Sequence, residues 1–154
     1  MSRDPIPTWF FVLTVVRLGR RYLLVRERKH EQLWYLPAGR VEPGETFVQA
    51  AQRETLEEAG ISIAVEGVLR VEHSPQADGT ARVRVIFLAH PADDTLPKNK
   101  PDQESLGAGW FILSELSALP LRGDEVLQIF RYVEQSPRIY PLELINFEGA
   151  SFTK

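Results

Sequence analysis

Glu54, Glu57 and Glu58 stand within five residues of one another, in a run from Thr46 to Ala59 that contains no glycine or proline. Placed on a helix at about 100° per residue, the three carboxylates share one arc, because residues three and four apart are surface neighbours. Val48, Ala51, Thr55 and Ala59 form a separate apolar stripe on the adjoining arc, which predicts the face turned to the core. Like charges at this spacing destabilise a helix by roughly 0.2–0.5 kcal/mol per pair. A divalent cation reverses that sign, and clustered hard oxygens suit Mg²⁺ or Mn²⁺ rather than zinc. Such a site can bind a pyrophosphate, neutralise charge that develops on it and activate water. Taken alone, the same pattern also describes a solvated acidic face.

The residues before the helix bear on that choice. Pro37 to Glu45 carries Gly39, Pro43 and Gly44, which marks a loop with special backbone needs, and Gly60 stands where a helix C-cap belongs. Across residues 39–61, GRVEPGETFVQAAQRETLEEAGI, the positions Gly39, Glu45, Arg53, Glu54, Glu57, Glu58, Gly60 and Ile61 resemble the signature box of the Nudix, or MutT-type, hydrolase family at every required spacing. Thr55 departs from the pattern, which favours a larger apolar residue there, but it lies on the core stripe and keeps a methyl group. Trp34-Tyr35-Leu36-Pro37-Ala38 before the box and Trp110-Phe111 after it resemble the family's flanks.

The resemblance implies an α/β/α sandwich with a mixed β-sheet, the box forming a loop-helix-loop. It implies a reaction in which water attacks a phosphorus of a nucleoside diphosphate linked to a further group. Glu54, Glu57 and Glu58 would then ligate magnesium (manganese as a substitute), one of them serving as a base, with the carbonyl of Ala38 or Gly39 as a further ligand. Arg53 would pair with Glu45 in a structural role, beside Gly39 and Gly60. Outside the box, Glu104 lies six residues before Trp110 and is expected to be an extra metal ligand or general base; a solvated loop glutamate is the other reading.

For substrate contacts, the resemblance points to Arg26 at the end of the second strand, with Arg28 and Lys29 following it. Arg82 and Arg84 share a strand face and could reach phosphates or water. Trp9, Phe11, Trp34, Tyr35 and Phe87 are candidates to stack on a base, Phe87 among those carried forward, although core packing explains aromatic residues as well. In the second half, VRVIFLA over 83–89, DQESL over 102–106 and LPLR over 119–122 resemble the human member of the family that acts on oxidised guanine nucleoside diphosphates. The expected activity is therefore Mg-dependent hydrolysis of a pyrophosphate bond in a nucleoside di- or triphosphate, an oxidised purine nucleotide included. The alternatives are a pyrophosphatase of ADP-ribose or another nucleoside diphosphate sugar, for which Pro75 is slender support, and an inactive domain that senses nucleotides. Loss of the box glutamates marks that last group, and all are present here.

The rest of the chain must position these groups. Its 154 residues, 44% apolar and 25% charged, predict a single soluble α+β domain, residues 1–154. There is no cysteine, which excludes disulfides, zinc-thiolate sites and thiol nucleophiles. The net charge of -3 argues against a nucleic-acid partner, including an RNA 5′ end, and leaves a small nucleotide as ligand. Met1 to Pro7 lacks the plan of a signal peptide, and no apolar run approaches the roughly 20 residues of a membrane span, so the expected location is cytoplasmic. A homodimer fits the resemblance.

Strands are expected over 9–18 and 21–27, joined by a turn at Gly19-Arg20. A short apolar piece follows over 33–36, and further strands are expected over 61–71 with a kink at Gly67, over 81–90, and over 110–112. Helices are expected over 46–59, 114–119 and 124–134, with Ser114 and Asp124 as N-caps. The tail 137–154, of unclear role, suggests a strand over 142–147.

Overall fold

A computed structural model describes residues 3–152. Seven strands and two α-helices follow in the order β1 (Thr8–Leu18), β2 (Arg21–Arg26), β3 (Trp34–Tyr35), β4 (Ala38–Arg40), α1 (Phe47–Ala59), β5 (Ile63–Pro75), β6 (Ala81–Pro91), β7 (Gly107–Ile112) and α2 (Glu125–Glu134). The sheet runs β3-β2-β1-β6-β5, with β4 paired to β1 and β7 to β2. It is mixed: β1 and β6 run parallel, and every other pairing between named strands is antiparallel.

Two buried faces explain why β1 and β6 read as near-continuous apolar runs. Val12 and Val16 of β1, with Val85, Phe87 and Ala89 of β6, pack on the side that carries Ala50, Ala51 and Ala59 of α1. Leu13 and Val15, with Ile86 and Leu88, pack on the opposite side against Val126, Phe130 and Val133 of α2. One helix thus closes each face, the α/β/α sandwich expected. The α2 side is anchored by Tyr22, whose ring stacks on Phe130 with centroids 4.5 Å apart and whose hydroxyl donates to Glu134 at 3.1 Å. Burial and the nearby Glu134 carboxylate push the Tyr22 hydroxyl up to about 12.

α1 begins where its sequence says it should. The Thr46 hydroxyl accepts from the Gln49 amide at 3.1 Å, and the Gln49 side chain accepts from the Thr46 amide at 2.9 Å, a reciprocal capping box. Gly60 ends the helix in the left-handed region at φ 71°. The core stripe is Ala50, Ala51, Thr55 and Ala59; Val48 is only half-buried. The Thr55 hydroxyl donates to the Ala51 carbonyl at 2.8 Å, so the polar atom at this departing position is satisfied inside the helix.

Three expectations change. The piece at 114–119 is a 3-10 turn, Leu113–Ala118, started by Ile112, whose amide donates to Glu115, and pinned by the buried Leu116; Ser114 is not a cap. Asp124 precedes α2 but its side chain makes no cap bond. The tail forms no strand over 142–147. Its extended pairing is one bridge, in which Val68 and Tyr140 exchange two backbone hydrogen bonds of 2.8 Å. Pro141 then offers no amide to continue it, and the chain turns through a 3-10 segment, Leu142–Leu144. The kink expected at Gly67 is a pair of register shifts, between Val65 and Gly67 and between Val68 and Arg70. No helix among the described residues is long and apolar enough to cross a membrane.

Gly67 also explains how the tail seats. A Cβ there would lie 2.5 Å from Ile139 Cγ2 and 2.7 Å from the Tyr140 carbonyl oxygen. Gly67→Ala is therefore expected to break the Val68–Tyr140 bridge and to destabilise the fold by about 1–3 kcal/mol. Loss of hydrogen-exchange protection at the Tyr140 amide, with a lowered denaturation midpoint, checks it; unchanged protection refutes it.

Candidate active site

The site is assembled on α1 by Arg53. Its Nε donates to Glu45 Oε2 at 2.7 Å and its Nη2 to Glu45 Oε1 at 3.0 Å, a two-pronged pair. Nη2 also reaches the Arg40 carbonyl at 2.9 Å, while Nη1 reaches Glu54 at 2.8 Å and Glu57 at 3.2 Å. One guanidinium therefore ties the loop ahead of the helix to two of the three carboxylates on it. Beside Glu45 it holds that carboxyl below the usual range.

β4 lies against the same arc. The Ala38 amide donates to Glu58 Oε1 at 2.9 Å. Gly39 lets β4 approach closely, since a Cβ there would come within 2.2 Å of the Glu54 carboxylate and displace it. Register with β1 pairs Ala38 with Leu13 and Arg40 with Phe11, so the box loop sits over the middle of the sheet.

A second segment docks on the end of α1, where helix carbonyls lack partners. The Lys98 amide donates to the Ala59 carbonyl at 2.8 Å, and the buried Ser105 hydroxyl donates to the Glu58 carbonyl at 2.6 Å. Asp102 folds this segment: its Oδ1 accepts from the amides of Glu104 (2.8 Å) and Ser105 (3.1 Å), and Lys98 pairs with it at 2.7 Å. Lys98 and these amides hold the Asp102 carboxyl down at about 2. Glu104 is thereby presented beside α1 on a tethered loop.

These elements enclose a cleft of about 530 Å³. Glu58, Glu104, Ala38 and Gly39 line it, together with Arg28, Arg40, Arg82, Arg84 and Arg122. Burial pushes the Glu58 carboxyl up to about 9, opposed by the Ala38 amide and reinforced by Glu54, Glu27 and Glu104. Burial likewise raises Glu54, against the pull of Arg53 and with Glu57 and Glu104 adding to it.

Of the residues singled out from sequence, Glu58, Glu104, Ala38, Gly39 and Arg28 line the cleft, and Glu54 lies behind Gly39. Glu57 does not line it; its side chain turns to Arg53. Two of the expected substrate contacts lie away from the cleft. Arg26 does not line the cleft, because its Nε turns to the Gln32 carbonyl at 3.4 Å. Phe87 is 1% exposed and packs on the α1 face with Val85; the cleft opens on the other face of β6, that of Arg82 and Arg84, and a one-residue change of parity separates the two. Among the other aromatics, Phe11 and Tyr35 line the cleft, while Trp34 packs edge-on against Phe111 at 5.1 Å.

Sequence reading missed Glu27, Lys98, Asp102, Ser105 and Arg122 as parts of the site. Arg122 pairs with Glu27 at 3.0 Å and lies over the Tyr35 ring at 4.6 Å. A Leu-Pro-Leu-Arg segment without secondary structure carried no local signal; Arg122 arrives because Leu121 bridges Trp34 and the Arg122 amide donates to the Trp34 carbonyl at 2.9 Å.

As the side chains stand, no three acidic or histidine groups among the described residues converge to hold an ion. The donor set still fits a hard divalent cation. All donors are carboxylate or carbonyl oxygens, Glu54 and Glu58 are part-buried next to further acids, and among the described residues Glu58 makes no ion pair whereas Glu54 pairs with Arg53.

A family model of the NUDIX domain matches residues 8–132. The 8-oxo-dGDP phosphatase NUDT18 of Homo sapiens is 43% identical over 131 residues, covering 79% of this chain and 39% of the relative. The chain thus spans about two fifths of that relative's length. Phosphatase NudJ of Escherichia coli is 34% identical over 145 residues, covering 93% of this chain and 94% of the relative. A solved NUDIX hydrolase from Nitrosomonas europaea superposes with a TM-score of 0.75 at 32% identity, covering 94% of this chain and 99% of that one.

Arg53→Ala is expected to cost about 2 kcal/mol in stability, since it removes charge-assisted hydrogen bonds and leaves Glu54 and Glu57 facing each other. Arg53→Lys recovers only part, because a single ammonium does not reproduce the fork on Glu45. Urea denaturation of the three proteins checks the order; equal midpoints for wild type and alanine variant refute it.

Proposed function

The chain belongs to the Nudix family, and from that premise we propose that it hydrolyses a pyrophosphate bond in a nucleoside di- or triphosphate, with magnesium as the metal. The observation that carries the reading is the cleft itself, which brings Glu58 of the box and Glu104 together with the arginines Arg28, Arg40, Arg82, Arg84 and Arg122, as a polyanion bound through a cation requires. The names of two relatives, an 8-oxo-dGDP phosphatase and a phosphatase, point to the same reaction class. The first of these supports an oxidised purine nucleotide as a substrate to test before nucleoside diphosphate sugars.

Glu54, Glu57 and Glu58 would hold the ion, together with the Ala38 carbonyl, and Glu57 would leave Arg53 to do so. When bound, Mg²⁺ supplies charge neutralisation on the phosphate oxygens and lowers the proton affinity of coordinated water. The protein's own groups do the rest. Arg28 binds phosphate oxygens and orients the chain of phosphates in the cleft. Glu104, on its tethered loop, accepts the proton of the attacking water. The water oxygen bonds to phosphorus as the bridging P–O bond breaks, and the leaving phosphate departs with the electron pair. Arg53 touches no substrate; it positions the acids.

Product release from a nucleotide panel, 8-oxo-dGDP and 8-oxo-dGTP beside ordinary di- and triphosphates and ADP-ribose, tests the proposal. Turnover is expected with Mg²⁺, none with EDTA, and recovery on adding Mg²⁺ back. Glu58→Gln, close in shape and able to keep the Ala38 hydrogen bond, should lower kcat/KM by roughly 100-fold or more, about 2.7 kcal/mol or more of transition-state stabilisation, with the denaturation midpoint kept. Near-normal turnover by Glu58→Gln, or in EDTA, would remove α1 from the chemistry.

A further inference from the structure

Three arginines that line the cleft, Arg40, Arg82 and Arg122, stand over aromatic rings, and for Arg82 and Arg122 the ring lines the cleft as well. Arg82 of β6 stands 4.5 Å from the centroid of the Phe11 ring of β1, and Arg122 stands 4.6 Å from that of Tyr35 in β3. All four residues line the same cleft as Glu58 and Glu104. The two stacks come from different strands and are held differently. Arg122 is fixed by Glu27 at 3.0 Å, and its amide is anchored on the Trp34 carbonyl. Arg82 is exposed and, among the described residues, has no carboxylate partner. Its neighbour Arg84, by contrast, is engaged with Glu72 and Glu125, both at 2.6 Å.

This difference sorts the arginines by task. Arg84 is a charge already compensated in part and locked to β5 and α2. Arg82 and Arg122 each bring a guanidinium over a ring at the cleft. Single bases are held by such planes, through stacking on an arginine or aromatic surface. Lysine cannot supply the plane.

Resting on the nucleotide-hydrolase reading above, we propose that Arg82 on Phe11 and Arg122 on Tyr35 form a base clamp, which grips the nucleobase of the substrate while the carboxylate part of the cleft receives its phosphates. They are specificity-determining residues: they act on the base and not on the reacting phosphorus.

The test is calorimetric titration of guanosine 5′-monophosphate and of ribose 5-phosphate, in magnesium buffer, on wild type and on Arg82→Ala, Arg122→Ala and the corresponding lysine variants. Neither ligand has an anhydride to cleave, so the titration decides the clamp whether or not the chain hydrolyses nucleotides. Wild type should bind the nucleotide about 10-fold or more tightly than the sugar phosphate. Each alanine variant should lose roughly 5- to 100-fold for the nucleotide and about twofold or less for ribose 5-phosphate. Arg122→Lys keeps a cation beside Glu27, and both lysine variants keep the charge; they should still fall with the alanine variants. Equal wild-type binding of the two ligands, equal losses for both, or full rescue by lysine would make these arginines phosphate contacts and overturn the clamp.

Discussion

Carboxylates repel one another, and the first half of this fold is organised around holding several of them together. Arg53 is the means. It takes Glu45 with two donors, reaches the Arg40 carbonyl, and leaves its last nitrogen between Glu54 and Glu57. Glu58, one residue further along, receives no such help. It is held by the Ala38 amide and buried near Glu54, Glu27 and Glu104. The arrangement is thus compensated on one side of α1 and frustrated on the other. Frustration of that kind tends to collect at functional sites, where a ligand supplies the missing charge.

The other half of the site depends on parity. Along β1 and β6, alternate residues serve different layers. Val12, Val85 and Phe87 face α1, whereas Leu13 and Ile86 face α2. α2 covers only the inner part of its face. Where it stops, the same parity brings out Phe11, Arg82 and Arg84, and the core face becomes the floor of a cleft. One strand pair therefore supplies both packing and recognition, divided along its length. Arg84 marks the divide, since it reaches Glu125 in the first turn of α2.

The box was readable because its signals are local. Thr46 and Gln49 cap the helix, Gly60 ends it, Gly39 lets β4 approach closely, and the spacing of Glu54, Glu57 and Glu58 follows from helical geometry. The layered architecture was expected from the resemblance that the box carries, and the doubly buried β1 and β6 accord with it. What local reading could not supply was which face of a doubly buried strand opens. Val85, Ile86, Phe87, Leu88 and Ala89 are all buried, so no alternation says that Phe87 belongs to the core while Phe11 belongs to the cleft. Arg26 failed similarly: its place at the strand end was right, but the Gln32 carbonyl in the following loop turns it aside. The tail and the Leu113–Ala118 turn were misread because single long-range contacts, Tyr140 with Val68 and the burial of Leu116, decide them.

Ser105 shows how the long-range and local parts meet. Nothing near it in sequence distinguishes it from a loop serine, yet it is fully buried and donates to the carbonyl of Glu58. With Lys98 on the Ala59 carbonyl, it satisfies the end of α1 using the loop that carries Glu104. The cap of the helix and the delivery of a fourth acid are therefore one structural event. Arg28 extends it by donating to the Asp102 carbonyl at 2.9 Å, which joins the loop after β2 to the same segment. A change at 98–105 would consequently reach the acidic and basic parts of the cleft together. By the same connectivity, the spacing between them is set by backbone contacts at the end of α1 and not by the charged side chains, whose mutual attraction and repulsion would otherwise rearrange with every change of pH or salt.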